Sequence, residues 1–126
     1  MTSIQARATR DLCMGLIRLH ILHHAAEEPI FGLGIMEELG RHGYRLSAGT
    51  LYPILHGLEQ RGYLRSHVTR LGRVNRRIYR ATPLGRRALT VAKHKVYELF
   101  EELFEGMTDG LGISKPHHTS RPGGCS

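Results

Sequence analysis

The fold is decided by the stretch Ser47-Ala-Gly-Thr-Leu-Tyr-Pro-Ile-Leu-His-Gly-Leu-Glu-Gln-Arg-Gly-Tyr63. Its apolar side chains recur with the i, i+3, i+4, i+7 spacing of one buried helix face, at Leu51, Ile54, Leu55 and Leu58. Ser47 is a candidate N-cap whose hydroxyl can accept from first-turn N–H groups, and Gly62 is a candidate left-handed stop. Pro53 counts against a regular helix, because it removes one backbone hydrogen bond. The sequence nevertheless predicts a helix over this stretch.

The opposite face of this helix carries small, hydroxylated or hydrogen-bonding side chains, namely Ala48, Gly49, Thr50, Tyr52, Pro53, His56 and Gln60. No acidic residue occurs in the stretch before Glu59. Such a face suits close approach to a polyanion and to base edges. We interpret it as the recognition helix of a DNA-binding domain, in which Ser47, Thr50, Tyr52 and His56 face the major groove.

A shorter helix is predicted immediately before the recognition helix, from about Phe31 to Arg41. It would bury Ile35, Met36 and Leu39, and the turn that follows contains Gly43. Two short helices joined by a tight, glycine-containing turn form a helix-turn-helix arrangement.

A basic hairpin is predicted after the recognition helix. Residues 63–69 alternate loosely between apolar and polar side chains, as in a half-buried strand, residues 70–75 form the loop, and residues 76–81 return. Such a hairpin is a wing, which can lie along a groove and contact phosphates through guanidinium groups. The side chains expected to hold phosphates or reach the minor groove are Arg70, Arg73, Asn75, Arg76 and Arg77.

The positive charge of the chain is concentrated in one block. The net charge is +7, yet residues 61–90 contain nine arginines and no acid, so the rest of the chain is slightly acidic. Phosphate neutralisation explains this asymmetry better than solubility does. A solvated basic face is the alternative interpretation.

Long helices are predicted at both ends of the domain. Residues 9–26 are apolar over more than one stripe, so one side can face the core while another requires a partner, which we take to be a second copy of the chain. Thr82 and Pro83 are the expected N-cap and first residue of the last helix. That helix has a heptad seam, Leu89, Ala92, Val96, Leu99 and Leu103. The seam indicates oligomerisation, with packing on its own domain as the alternative.

The predicted fold is therefore mainly α with a small β-hairpin (α+β). Its 126 residues divide into a flexible N-terminal arm (1–8), a winged helix-turn-helix domain (9–82), a C-terminal dimerisation helix (83–106) and a disordered tail (107–126). The first and last helices, over residues 12–26 and 84–105, would build the dimer.

Several classes of protein are disfavoured. The chain has no apolar run long enough for a membrane span and no signal-peptide pattern, and its two cysteines fit a reducing cytoplasm. It contains no nucleophile elbow or phosphate-binding glycine loop, so we expect neither an enzyme nor a cofactor. A winged helix used only for protein contacts would leave the basic wing unexplained.

A metal-responsive regulator is a further alternative. His20 and His24 lie one helical turn apart, and His94 could approach them if the end helices pack together. Partly exposed helix histidines without a metal are the commoner case. His117 and His118 in the tail would bind metal only adventitiously.

Four segments resemble the PadR-type bacterial transcriptional regulators. They are Pro29-Ile-Phe-Gly32, Gly49-Thr-Leu-Tyr-Pro-Ile-Leu55, Leu58-Glu-Gln-Arg-Gly-Tyr-Leu64 and Arg77-Ile-Tyr-Arg-Ala-Thr-Pro-Leu-Gly85. The resemblance covers about residues 9–105 and implies a winged helix-turn-helix homodimer that binds double-stranded DNA at a palindromic operator. It also implies a repressor that a small-molecule effector releases.

The resemblance carries roles onto particular residues. Thr50, Tyr52 and Pro53 match the recognition-helix motif of the family, and residues 73–77 match its wing. Any effector pocket is expected between the first and last helices, with candidate lining residues Leu16, His20, Tyr97 and Phe100.

Overall fold

The computed structural model describes residues 3–105, with side chains from residue 11 onward. The elements in chain order are α1 (Ser3–Glu27), β1 (Ile30–Phe31), α2 (Gly32–Arg41), α3 (Ala48–Gln60), β2 (Leu64–Leu71), β3 (Val74–Ala81) and α4 (Pro83–Leu103). The expected tail at 107–126, with its two histidines, lies outside the described residues. None of the helices in the described range is long and apolar enough to cross a membrane.

The chain forms two compact units, one up to Lys93 and the other from His94. The core of the first unit is built from the apolar faces of its helices together with the base of the sheet: Ile17, Ile21, Leu22, Ala25, Ile30, Ile35, Leu39, Leu46, Leu51, Leu55, Leu58, Leu64, Tyr79 and Leu89. The predicted helix-turn-helix is confirmed, because α2 and α3 begin and end within one residue of their predicted limits.

The sheet has three strands rather than the predicted two. Strand β1 pairs antiparallel with β3, opposing Ile30 to Tyr79 and Phe31 to Ile78, and the strand order is β1-β3-β2. Two residues after Pro29 are too short to show a period of two, so the sequence pattern could not reveal this strand. It forms because the link between α1 and α2 passes along the free edge of β3.

The predicted wing loop over residues 70–75 is wrong. Strand β2 continues to Leu71 and β3 begins at Val74, so Gly72 and Arg73 alone make the turn. Gly72 has a φ of +62°, as the first central residue of a type II′ hairpin turn requires. Polar residues near the tip suggested a loop. Near the tip, however, both faces of the two-stranded ribbon can carry solvated side chains while the backbones of β2 and β3 remain hydrogen-bonded to each other.

Helix α1 starts at Ser3, whereas the sequence predicts a flexible arm up to residue 8 and a helix from Thr9. No glycine or proline occurs between Ser3 and Asp11. Each residue there tolerates helical backbone, so the helix extends toward the N-terminus beyond the point where its apolar pattern stops.

The predicted side-chain cap at Ser47 is also wrong. Its hydroxyl lies 3.3 Å from the Thr50 hydroxyl and makes no capping hydrogen bond to the backbone. The first turn is closed instead by the Ser47 carbonyl oxygen, which accepts from the N–H groups of Thr50 (3.1 Å) and Leu51 (2.9 Å). The two hydroxyl groups therefore lie together at the exposed start of α3.

The predicted cap at Thr82 is confirmed. Its hydroxyl oxygen accepts from the Gly85 N–H at 2.9 Å and donates to the Gly62 carbonyl oxygen at 2.5 Å. This single side chain thus closes the first turn of α4 and ties it to the end of α3.

We expect Thr82→Ala to lower the free energy of unfolding by about 1–2 kcal/mol, because it removes a helix cap and leaves a carbonyl without its partner. Urea denaturation at fixed protein concentration measures this loss. Thr82→Ser keeps the hydroxyl and is the matched control. Equal losses in both variants would contradict the assigned role.

The predicted heptad seam of α4 divides into two parts. Leu89 is 7% exposed and belongs to the core, whereas Leu99 and Leu103 are 50% and 66% exposed. Packing on its own core therefore accounts for the start of the seam and leaves its end uncovered in the isolated chain.

Candidate nucleic-acid interface

Helix α3 has the two faces that its sequence predicts. Leu51, Leu55 and Leu58 are buried in the core. On the other side, the predicted contacts are open to solvent: Ser47, Tyr52, Pro53 and His56 are exposed, and Thr50 is half-buried. The helix runs without interruption through Pro53. A continuous polar face is therefore available along the length of α3.

Tyr52 is held in place by the start of α2. Its ring packs directly over Gly32, so closely that a Cβ atom at position 32 would overlap the phenolic oxygen. The side chain remains 45% exposed. Glycine at position 32 therefore leaves the space that the partly exposed Tyr52 ring occupies.

The base of the wing is attached to α3 by a chain of hydrogen bonds. Glu59, the only acidic residue of α3, accepts from the Ser66 N–H at 2.8 Å and from its hydroxyl at 2.5 Å. Arg77 Nη1 donates to the same hydroxyl oxygen at 3.0 Å. The carboxylate is thereby engaged with the wing, and α3 and β2 are held at a fixed angle.

The predicted wing contacts lie on two faces of the ribbon. Neighbouring residues of a strand point to opposite sides, so Arg76 and Arg77 diverge. Arg77 lies on the Ser66 side, whereas the Arg76 guanidinium lies 4.5 Å from the ring centroid of Phe31 in a cation–π contact. Asn75 is exposed and lies opposite Arg70 in the ladder, on the Arg77 face.

Two further arginines on the Arg76 face were not among the predicted contacts. Arg65 and Arg80 are exposed and directly opposite one another across β2 and β3. Cross-strand neighbours of like charge repel, so this pair favours an anion at the surface. The strand register, which the sequence does not give, is needed to find it.

The tip of the wing carries the remaining predicted cations. Arg70 Nε donates to the Gly72 carbonyl oxygen at 3.0 Å, which orients its guanidinium group beside the turn. Arg73 is exposed within the turn itself. The tip of the wing therefore presents two exposed arginines.

Tyr79 lies buried beneath this surface. Burial is the main effect and raises the pKa of its phenol; Glu59 and Tyr52 add to the rise, while Arg77 opposes it. The raised pKa keeps the phenol neutral over an even wider pH range than that of an ordinary tyrosine. It does not cancel the positive charge of the neighbouring arginines.

The candidate effector and metal residues include members of both compact units. Leu16 is 42% exposed on α1. Tyr97 and Phe100 are neighbours on α4, with ring centroids 6.3 Å apart, in the unit that also contains His94. In the first unit, His20 and His24 lie beside His42, which was not among the residues predicted from the sequence.

Comparison with known proteins agrees with this architecture. Residues 21–91 match the Transcriptional regulator PadR-like family. The chain is 47% identical over 103 residues to the transcriptional regulator Rv3488 of Mycobacterium tuberculosis, an alignment that covers 82% of this chain and 96% of that protein.

Solved structures give the same result. The chain resembles a PadR family transcriptional regulator from Eggerthella lenta, with a TM-score of 0.65 and 29% identity over 88% of this chain and 95% of the other. It shares the fold of a PadR-like transcriptional regulator from Bacillus cereus, with a TM-score of 0.64 and 19% identity over 83% and 99% of the two chains. Profile, sequence and fold agree, and the chain belongs to the PadR-like family of transcriptional regulators, proteins that bind DNA and are not enzymes.

Proposed function

We propose that this regulator is a homodimeric repressor that binds a palindromic operator through α3 and the wing, acts in the cytoplasm and responds to a small ligand. The main structural support for this DNA-binding surface is the chain of hydrogen bonds that joins Glu59, Ser66 and Arg77. It fixes the polar face of α3 relative to the arginine-rich hairpin. A rigid pair of this kind can engage a groove and the flanking phosphates together.

In this arrangement the two elements have different tasks. Hydroxyl and imidazole groups at Ser47, Thr50, Tyr52 and His56 face base edges in the major groove, and Pro53 shapes the same surface. Guanidinium groups neutralise phosphates, which supplies affinity without sequence preference. The wing residues assigned to that task, or to the minor groove, are Arg70, Arg73, Asn75, Arg76 and Arg77.

Uncovered apolar side chains support the homodimer. Leu12 of α1 is 87% exposed, and Leu99 and Leu103 of α4 are 50% and 66% exposed. Covering such side chains with a second copy removes apolar surface from water at about 25 cal/mol per Å². A two-fold dimer would then present two copies of α3 to the two halves of a palindrome.

The effector is proposed to be a small molecule bound near the dimerisation helices. Leu16, His20, Tyr97 and Phe100 remain the candidate lining residues. A ligand that binds the dimer in one geometry better than in another shifts the population that can reach both half-sites. In this proposal the ligand releases the repressor from its operator, as the family resemblance implies.

Selection of duplexes from a random pool tests this function. The purified full chain should enrich a sequence with two-fold symmetry, and light scattering should give two chains per bound duplex. A pool without enrichment, together with affinity that does not change with salt, would favour a winged helix used only for protein contacts.

The division between base reading and phosphate binding makes a separate prediction. Thr50→Ala should weaken binding to the selected palindrome by about 1–3 kcal/mol while leaving random DNA nearly unaffected. Arg76→Ala should weaken binding to both duplexes. It should also reduce the slope of log K against log salt concentration by about 0.9 for each phosphate that the variant no longer neutralises. Fluorescence anisotropy with both duplexes measures the two variants side by side. Equal effects of both substitutions on both duplexes would contradict the assigned roles.

A further inference from the structure

Three histidines from two different helices meet at the surface between α1 and the end of α2. One ring nitrogen from each of His20, His24 and His42 lies within 4.8 Å of the other two. The His20 and His42 ring centroids are 4.6 Å apart. His42 is the C-cap of α2, so α2 must pack on α1 to complete the group.

A carboxylate completes the set. Glu38 Oε1 lies 3.8 Å from His24 Nε2 and 3.6 Å from His42 Nε2. Its other oxygen, Oε2, is bonded to Arg41, which orients the carboxylate and leaves Oε1 toward the imidazoles. A partner that positions a ligating group in this way is typical of metal sites.

The donor set has the chemistry of a zinc-type site. Imidazole nitrogen and carboxylate oxygen both bind Zn²⁺ at about 2.0–2.2 Å, which places tetrahedral ligand atoms about 3.4 Å apart. The three imidazole nitrogens lie within 4.8 Å of one another, and Glu38 Oε1 lies within 3.8 Å of those of His24 and His42, so the ligand atoms would move closer together around an ion.

We propose that His20, His24, His42 and Glu38 bind one divalent transition-metal ion of the zinc type. The site joins α1 to the helix-turn-helix through protein ligands of one chain. His42 is exposed to solvent, and His24 and Glu38 also line a pocket of about 150 Å³. Metal-dependent control of DNA binding would rest on the proposed repressor function, whereas the site itself does not.

A second group of potential ligands is nearby but is less suitable. His23, His24 and Glu27 all come from α1, and His23 and Glu27 are 44% and 63% exposed while already paired at 3.3 Å. That group supplies three ligands from one helix. The four-residue set offers one more ligand from two helices and lies in a less exposed position.

Calorimetric titration of the chelator-treated full chain with ZnCl₂, without DNA, tests the site. His117→Ala/His118→Ala should be the parent, because tail histidines could bind zinc independently. We expect one ion per chain and a reduction in affinity of about 100-fold or more in His42→Ala, since even outer partners of metal ligands contribute 10–100-fold. His20→Gln should show a similar reduction in zinc affinity. Because it alters a different helix, it separates the loss of a ligand from a folding defect specific to His42→Ala.

His23→Ala and His94→Ala are the matched controls and should bind zinc as the parent does. Circular dichroism of every metal-free variant should match the parent. Absence of stoichiometric binding, unchanged affinity in His42→Ala, or loss of binding in His23→Ala would each overturn the assignment. Because DNA is absent, failure here leaves the repressor proposal standing.

Discussion

Gly85→Ala should lower the free energy of unfolding by about 3 kcal/mol, at the upper end of the usual cost of overpacking. Gly85 is buried in the first turn of α4, and a Cβ atom there would overlap the carbonyl oxygen of Tyr63. That oxygen already accepts from the Thr82 N–H at 3.0 Å. Since the obstacle is backbone held by a hydrogen bond, no rotamer change can relieve the overlap.

Urea denaturation at one protein concentration measures this effect, with Gly40→Ala as the matched control. Gly40 is also helical, but an added Cβ would meet no atom within 4 Å. That substitution should stabilise the protein by about 0.5–1 kcal/mol, because alanine loses less conformational freedom than glycine. Similar destabilisation by both substitutions would show that the close approach of Gly85 to the Tyr63 carbonyl oxygen is not the cause of the loss of stability.

Arg70→Ala/Arg73→Ala should have the largest effect on DNA affinity. A dimer would lose four guanidinium groups, and at about 0.7 kcal/mol each, within the range for exposed ion pairs, affinity falls on the order of 100-fold. The salt slope should also decrease in magnitude by about 3.6, or 0.9 per phosphate. Both the selected palindrome and random duplexes should be affected, since phosphates carry no sequence information.

Arg70→Lys/Arg73→Lys preserves the charge and serves as the control. It should retain most of the salt slope, because lysine also neutralises phosphate, while the loss of guanidinium geometry reduces affinity only modestly. If the salt slope of DNA affinity fell as much in the lysine variant as in the alanine variant, phosphate neutralisation could not be the role of the wing tip.

Much of the fold could be predicted because local chemistry determines it. The spacing of Leu51, Leu55 and Leu58 specifies the buried face of α3, and Thr82 followed by Pro83 specifies the start of α4. The family resemblance reached the same winged architecture from short motifs. These features depend on residues that are close in sequence, so the sequence alone is sufficient to indicate them.

Other features depend on pairing between distant segments. Strand β1 exists only because Ile30 and Phe31 meet β3, and the cross-strand pair Arg65 and Arg80 depends on register. His42 joins the other histidines only after α2 packs against α1. Periodicity and composition carry no direct information on such contacts, so they could not be predicted from the sequence.

The DNA-binding surface could be predicted as a set of residues but not as an arrangement. The sequence selected Arg76 and Arg77 together, whereas the structure directs them to opposite faces of β3. Glu59 had no role predicted from the sequence, and in the structure it accepts two hydrogen bonds from Ser66. The arrangement suggests that α3 and the wing act as one rigid unit.

The salt dependence of operator binding tests the central proposal most directly. Anisotropy titrations of the wild-type full chain with the selected palindrome, repeated over a series of salt concentrations, give log K against log salt. A dimer with about six or more phosphate contacts should give a straight line steeper than about −5. A slope near zero would show that the clustered arginines do not neutralise DNA phosphates and would contradict the account.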